Sequence, residues 1–201
     1  MPFRLFRAPA LAAAAIMIAE SMPTAASAAQ PVYSPHYAQD RAEIEDLMAR
    51  YLFAMDYGDF DAYVATFTED GELTFAGGTS KGRDAIRKAV MGFKASIGKY
   101  YKDKEGNPAT LRHVLLQAVI RVEGDRAWTR SLWVEMANNG PEDSLKMGTF
   151  GIYQDELKRI DGRWLFSKRR VLNEFLKGRH SGPTNPVEEM DAAATAFLAS
   201  K

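Results

Sequence analysis

Two side chains in this sequence have the types needed to move protons, and each has two possible placements. The chain holds three histidines: His36 lies ahead of the first predicted helix, His180 lies in a Gly- and Pro-punctuated tail, and His113 lies inside a predicted strand, LRHVLLQAVIRV. An imidazole has an ordinary pKa of about 6.5, which suits abstraction of a proton near neutrality. His113 is either part of a pocket wall or a buried structural histidine satisfied by a neighbour. Asp56 closes the stretch DRAEIEDLMARYLFAMDYGDFD. It either meets solvent at a helix end or points into whatever that helix packs on. On a later strand, Trp133 and Glu135 share a face with Ala127, Thr129 and Ser131, a pattern that fits a cavity wall or close packing on a helix. Arg169 and Arg170 point to opposite faces of the last strand, so one of them faces away from solvent or pairs with an acid.

The elements that would carry these groups are legible from periodicity. Ile44, Leu47, Met48, Tyr51, Leu52 and Met55 recur at i, i+3, i+4, i+7, i+8 and i+11, one apolar stripe of a helix. Asp40 with Glu43 three residues on has the capping-box pattern, so the helix is expected over 40–55, broken by Tyr57-Gly58. Asp59 is expected to cap a short second helix through Phe60, Tyr63, Val64 and Phe67. Glu69-Asp70-Gly71 then reads as a turn, 72–75 as a short strand and 85–97 as a third helix. From Thr110 the period changes to that of strands, expected at 111–122, 126–137, 146–160 and 163–175, with a terminal helix over 187–199. Helices followed by a four-strand antiparallel meander make an α+β domain, with the helices on one face of a curved sheet and a cone-shaped cavity between them. Strand alternation groups His113 with Leu111, Leu115, Gln117 and Val119. It leaves Val114, Leu116, Ala118, Ile120 and Val122 as a separate dry face.

The first residues differ from the rest. Arg4 and Arg7 precede an apolar run over 8–19, and small residues lead to Ala26-Ser27-Ala28. This is the layout of a secretory signal peptide cleaved after Ala28, and the run is shorter than the about 20 residues a stable membrane anchor needs. The expected organisation is a signal peptide at 1–28, a flexible leader at 29–39, the domain at 40–177 and a tail at 178–201, in a periplasmic or secreted protein. Without residues 1–28, which carry Arg4, Arg7 and Glu20, there remain 24 basic and 25 acidic residues, a balance that argues against a nucleic-acid partner. The chain has no cysteine, which rules out disulfides and thiolate metal sites. It also has no Gly-rich phosphate loop, GxSxG elbow, HExxH or close His/Asp set, so neither metal nor cofactor is expected. Tyr100-Tyr101, in a charged loop over 99–108, reads as loop packing or as a lid.

The segments YLFAMDYGDFDAYVATFTEDGELTF, KGRDAIRK, LRHVLLQAVIRVEGDRAWTRSLW and KRIDGRWLFSKRRV resemble the SnoaL-like branch of the NTF2-like superfamily. Scytalone dehydratase, bile-acid 7α-dehydratase and hexachlorocyclohexane dehydrochlorinase belong to that branch. The resemblance covers residues 40–175. It implies the cone-shaped NTF2-like barrel, and also a dyad, because members that eliminate water or halide use an Asp after the first helix and a His on the first long strand. Asp56 and His113 occupy those places. Tyr51 matches a Tyr that the bile-acid enzymes place five residues before the Asp, and Arg169 is similar in position to an Arg of the dehydrochlorinase. Two features depart from scytalone dehydratase: Met55 stands where it has a Tyr, and Trp133 or Glu135 stands near its second His.

The resemblance thus implies a cofactor-independent lyase with His113 as general base and Asp56 holding its tautomer. Tyr51 would donate to a carbonyl or a departing hydroxyl, and Arg169 would offset negative charge or brace Asp56. Trp133, Glu135, Phe53, Met55 and Leu115 would contact a small cyclic or aromatic substrate. Retro-aldol cleavage, isomerisation and a non-catalytic binding or accessory role are the alternatives the superfamily offers. Relatives assemble as trimers or dimers through the outer sheet face, which would make Trp128, Leu132 and Val134 interface residues.

Overall fold

A computed structural model of the chain describes residues 33–75, 78–174 and 176–200, so the expected signal peptide and residues 29–32 of the leader lie outside the described residues. The elements are α1 (Tyr37–Tyr57), α2 (Phe60–Ala65), β1 (Phe67–Phe75), β2 (Gly78–Lys81), α3 (Arg83–Ile97), β3 (Leu111–Glu123), β4 (Arg126–Ala137), β5 (Lys146–Ile160), β6 (Arg163–Asn173) and α4 (Pro186–Ala199). The predicted four-strand meander is present as β3 to β6. It is extended by β1 and β2 into a six-stranded sheet of order β2-β1-β6-β5-β4-β3, in which β1 runs parallel to β6. The sheet is curved and does not close on itself, so β3 is a free edge.

The apolar stripe of α1 is buried as expected. Ile44, Leu47, Met48, Tyr51 and Leu52 pack with Phe67, Leu73, Trp133, Tyr153, Leu157 and Phe166 of the sheet in one core. Burying side chains of this size is worth about 1.5–3 kcal/mol each. The helix also runs along the free edge and satisfies its backbone. The Tyr37 hydroxyl donates to the Ile120 carbonyl at 3.0 Å and Arg41 donates to the Ala118 carbonyl at 3.3 Å. These contacts block the edge against pairing with another strand.

Three local expectations are corrected. First, α1 begins at Tyr37, with His36 at its N-cap, and Asp40 sits buried in its first turn instead of capping it. The Asp40 carboxylate pairs with the guanidinium of Arg159, which in turn lies 4.6 Å over the Trp164 ring. A charge-assisted tertiary bond replaces a local cap. Second, Phe67 belongs to a strand, and the predicted Glu69-Asp70-Gly71 turn is an irregularity within β1, between the Phe67↔Phe166 and Glu72↔Lys168 pairs. Third, β3 has no single dry face. Leu115 pairs with Trp133 and Ala118 with Ser131, so β3 carries one extra residue there. This bulge reverses the alternation. His113 and Leu115 point inward before it, and Ala118, Ile120 and Val122 pack against the same core after it, while Leu116 is exposed.

The terminal helix α4 covers part of the outer sheet face, where Trp128 is buried with Met190 and Ala194 and stacks near Phe197. Trp128 is therefore not the free interface residue expected. No helix among the described residues is long and apolar enough to cross a membrane.

Replacing Asp40 with Asn should lower the urea-unfolding free energy by about 1–2 kcal/mol, because the partly buried Arg159 loses its nearer carboxylate and keeps only Asp125, at 3.7 Å. A cap-only role for Asp40 would cost no more than a few tenths, since Asn caps as well as Asp.

Candidate active site

His113 and Glu135 are directly opposite each other on β3 and β4, which puts both side chains on the concave face. The antiparallel bonds of β3 to β4 leave the His113 N–H at the free edge, where α1 ends. Gly58 terminates that helix in the left-handed conformation (φ 72°), and the Lys94 ammonium of α3 donates to the Met55 and Asp56 carbonyls at 2.7 Å each. Fixed in this way, the Asp56 carboxylate clamps His113 twice. Oδ2 accepts the His113 backbone N–H at 2.9 Å and Oδ1 lies 2.7 Å from Nδ1. An ionised carboxylate only accepts, so with Asp56 ionised the bond places a proton on Nδ1, and in the neutral imidazole Nε2 keeps its lone pair. Both side chains are nearly buried, at 5% exposure for His113 and 4% for Asp56.

Nε2 faces the Glu135 carboxyl, with Oε2 at 3.5 Å. Burial pushes the Glu135 carboxyl up to about 7 from an ordinary 4.5. The Asp56 charge adds to this, against the opposing pull of the Thr149 backbone N–H and of Lys146. The other oxygen, Oε1, accepts a hydrogen bond from the Tyr101 hydroxyl. Tyr101 is thus buried loop packing with a bond into the site. The bond is not legible in the sequence, because its partner is 34 residues away.

Two cavities meet at the dyad. One, of about 230 Å³, is walled by Tyr51, Tyr63, Phe75, Trp133, Glu135, Tyr153 and other residues. The other, of about 280 Å³, includes Asp56, Lys94, Tyr101 and Arg112, and His113, Met55, Phe93 and Ile97 border both. In the first cavity the Tyr63 hydroxyl donates to that of Tyr51 at 2.7 Å, so the Tyr51 proton is free to point elsewhere. The Trp133 indole N–H is buried without a partner.

Of the residues expected at the site, Asp56, His113, Tyr51, Trp133, Glu135 and Met55 are brought together. Phe53 is not, since it is 64% exposed and lines an open groove of about 790 Å³ with Arg50, Tyr57 and Trp164, on the side of α1 away from His113. Leu115 packs against the core cluster and is not on the wall. Arg169 neither reaches Asp56 nor opens into the His113 cavities. It is the inward arginine of β6, and its Nε and Nη2 donate to Asp155, its cross-strand neighbour, at 2.8 Å each. Thr129, opposite Asp155 on β4, donates to the same carboxylate at 2.7 Å. The guanidinium lies 4.0 Å from the Tyr51 ring centre, 4.3 Å from Tyr153 and 3.9 Å from Phe166. Burial raises the Tyr51 phenol above its ordinary pKa, and the Arg169 charge beneath it pulls the other way. Arg169 therefore meets the cavity walls only through the rings of Tyr51 and Tyr153. Among the described residues no group of three or more His, Asp or Glu is arranged to hold a metal ion.

Comparison with known proteins places this arrangement. The model of the SnoaL-like domain matches residues 36–170. The chain belongs to the SnoaL-like family. Solved structures share the NTF2-like, cystatin-like fold of this SnoaL-like domain. A variant of a Mycobacterium tuberculosis protein of unknown function is 27% identical, over 81% of this chain and 94% of that one, with a TM-score of 0.57. An NTF2-like protein with a cystatin-like fold from Novosphingobium aromaticivorans is 27% identical, over 70% and 84%, with a TM-score of 0.57. A Catenulispora acidiphila protein in complex with S-DNPA is 28% identical, over 68% and 95%, with a TM-score of 0.56. No curated protein matches by sequence.

Replacing Arg169 with Leu should cost about 3–5 kcal/mol in chemical denaturation, because Asp155 would be left as an uncompensated buried charge. The raised Glu135 carboxyl makes stability pH-dependent. The folded state holds this proton up to about pH 7, whereas an unfolded glutamate releases it near 4.5. Stability should therefore fall as pH rises through that window, by on the order of 2 kcal/mol. Glu135→Gln should flatten that part of a pH-resolved urea-denaturation series.

Proposed function

We propose that this SnoaL-like domain is a cofactor-independent lyase of the dehydratase type, acting outside the cytoplasm on a small cyclic or aromatic compound. The observation that carries the reading is the double clamp of Asp56 on His113. It presents an unprotonated Nε2 to a largely apolar cavity, with a second carboxyl 3.5 Å away. His113 takes a proton from a carbon next to a carbonyl, and the Asp56 carboxylate stabilises the imidazolium that forms. Tyr51, with Arg169 beneath its ring, donates to the carbonyl oxygen as negative charge develops there. The electron pair of the broken C–H bond forms the new double bond, and the C–O bond to the β-hydroxyl breaks.

Glu135, protonated near neutrality, supplies the proton that lets the hydroxyl leave as water. The imidazolium then returns its proton to Glu135 across the gap between them, and the site is reset without any external group. Trp133, Met55 and the aromatic walls select a flat or ring-shaped substrate by shape. The complex of the 28%-identical Catenulispora acidiphila protein with S-DNPA supports a small-molecule pocket in this fold.

The test is a screen of β-hydroxy carbonyl ring compounds for loss of water, followed by substitution. His113→Gln should lower turnover by about 10³-fold while the melting temperature moves by only a few degrees. Full activity in that variant would end the dyad reading.

A further inference from the structure

The Glu135 carboxyl has an unusual setting. Between Val134↔Phe150 and Met136↔Met147, β5 has one more residue than β4, and this bulge of Gly148 and Thr149 lies opposite Glu135. A side chain at position 148 would have to displace Glu135 or Tyr101. A Cβ on Gly148 would lie 2.5 Å from Glu135 Oε1 and 2.8 Å from the Tyr101 hydroxyl. Gly148 shows no left-handed φ, so its role is space rather than conformation. The space is filled from the other side by Tyr101, which is held firmly. Its carbonyl accepts from the Ala109 N–H at 2.9 Å, the adjacent Lys102 bridges Pro108, Asn139 donates to the Lys102 carbonyl at 3.1 Å, and the Lys146 ammonium lies 5.1 Å from its ring centre.

We propose that Tyr101 is a positioning residue that fixes which oxygen of Glu135 carries the proton, and that the Gly148 bulge is the space this arrangement requires. The inference rests on the lyase reading for its functional meaning. The logic is one of lone pairs. Tyr101 donates to Oε1, so a neutral Glu135 carries its proton on Oε2, the oxygen that faces Nε2 of His113. Rotation of the carboxyl by half a turn would aim the proton at Tyr101 and away from the reacting centre. The groups that bear on Glu135 come from four directions: Asp56 from α1, His113 from β3, Lys146 and the Thr149 N–H from β5, and Tyr101 from the loop. Of these, Tyr101 is the one side chain that donates a neutral, directional hydrogen bond to Oε1, so it sets the orientation of the carboxyl and also favours its ionised form.

The experiment reads the carboxyl directly in the full-length protein. The side-chain carboxyl of Glu135 is followed by carbon-13 NMR against pH and assigned by its loss in Glu135→Gln. Tyr101→Phe keeps the ring and removes the donor to the ionised form, so the midpoint should rise by about one pH unit. Gly148→Ala, which forces the two groups apart, should move it in the same direction. The nitrogen-15 resonance of His113 Nε2 should shift in both variants. On any substrate found by the dehydration screen, Tyr101→Phe should lower kcat about 10-fold with KM unchanged. A Glu135 midpoint and a His113 resonance that stay where they are in both variants would overturn the proposal. Because the titration needs no substrate, that outcome is separate from an active His113→Gln variant, which would overturn the lyase reading instead.

Discussion

The double bond from one carboxylate to one histidine, made at the free edge of the sheet, is the constraint around which the site is arranged. A free edge exposes unpaired N–H and C=O groups, and leaving them buried and unpaired is costly. Here α1 lies along β3 and satisfies them with side chains, first Tyr37, then Arg41 and finally Asp56. The last of these is also the contact that orients the imidazole. Edge protection and imidazole orientation are therefore one interaction, which ties the end of α1 to the start of β3. Lys94 and Gly58 matter because they fix where α1 stops.

The second dependence runs beneath the cavity. Asp155 on β5 accepts from Thr129 on β4 and from Arg169 on β6, so three adjacent strands share one buried carboxylate. The guanidinium then lies against three aromatic rings, two of them cavity walls. Burial of a full charge is tolerated because its partner is bidentate and the rings supply favourable faces. The positive charge remains close to the phenols of Tyr51 and Tyr153 without being exposed to substrate or water. Glu135 has the opposite balance. Burial and the nearby Asp56 charge outweigh Lys146 and the Thr149 N–H, so the carboxyl holds its proton near neutrality.

The limits of the sequence reading follow from what periodicity encodes. The α1 stripe, the lone strand histidine and the breaks between the strands at 122–126 and 160–163 are local and legible as such. The β3 bulge was not, because alternation assumes an unbroken strand and nothing in LRHVLLQAVIRV marks the extra residue. Asp40 looked like a cap because capping is local chemistry, while its partner Arg159 lies 119 residues away. Phe53 is apolar and a candidate for the cavity by residue type, but it lies on the opposite side of α1.

What the sequence determined by itself was the order of the helices and of the four-strand meander, the apolar stripe of α1 and the residue types at the dyad, all of which depend on neighbours a few positions apart. The tertiary structure alone decided the pairing partners. It sent Arg169 to Asp155 and Tyr51 instead of Asp56, brought Tyr101 to Glu135 beside the Gly148 bulge, and put Asp56 within 2.7 Å of His113. Those outcomes depend on strand register and helix docking, which are set by packing of the whole core rather than by any one segment.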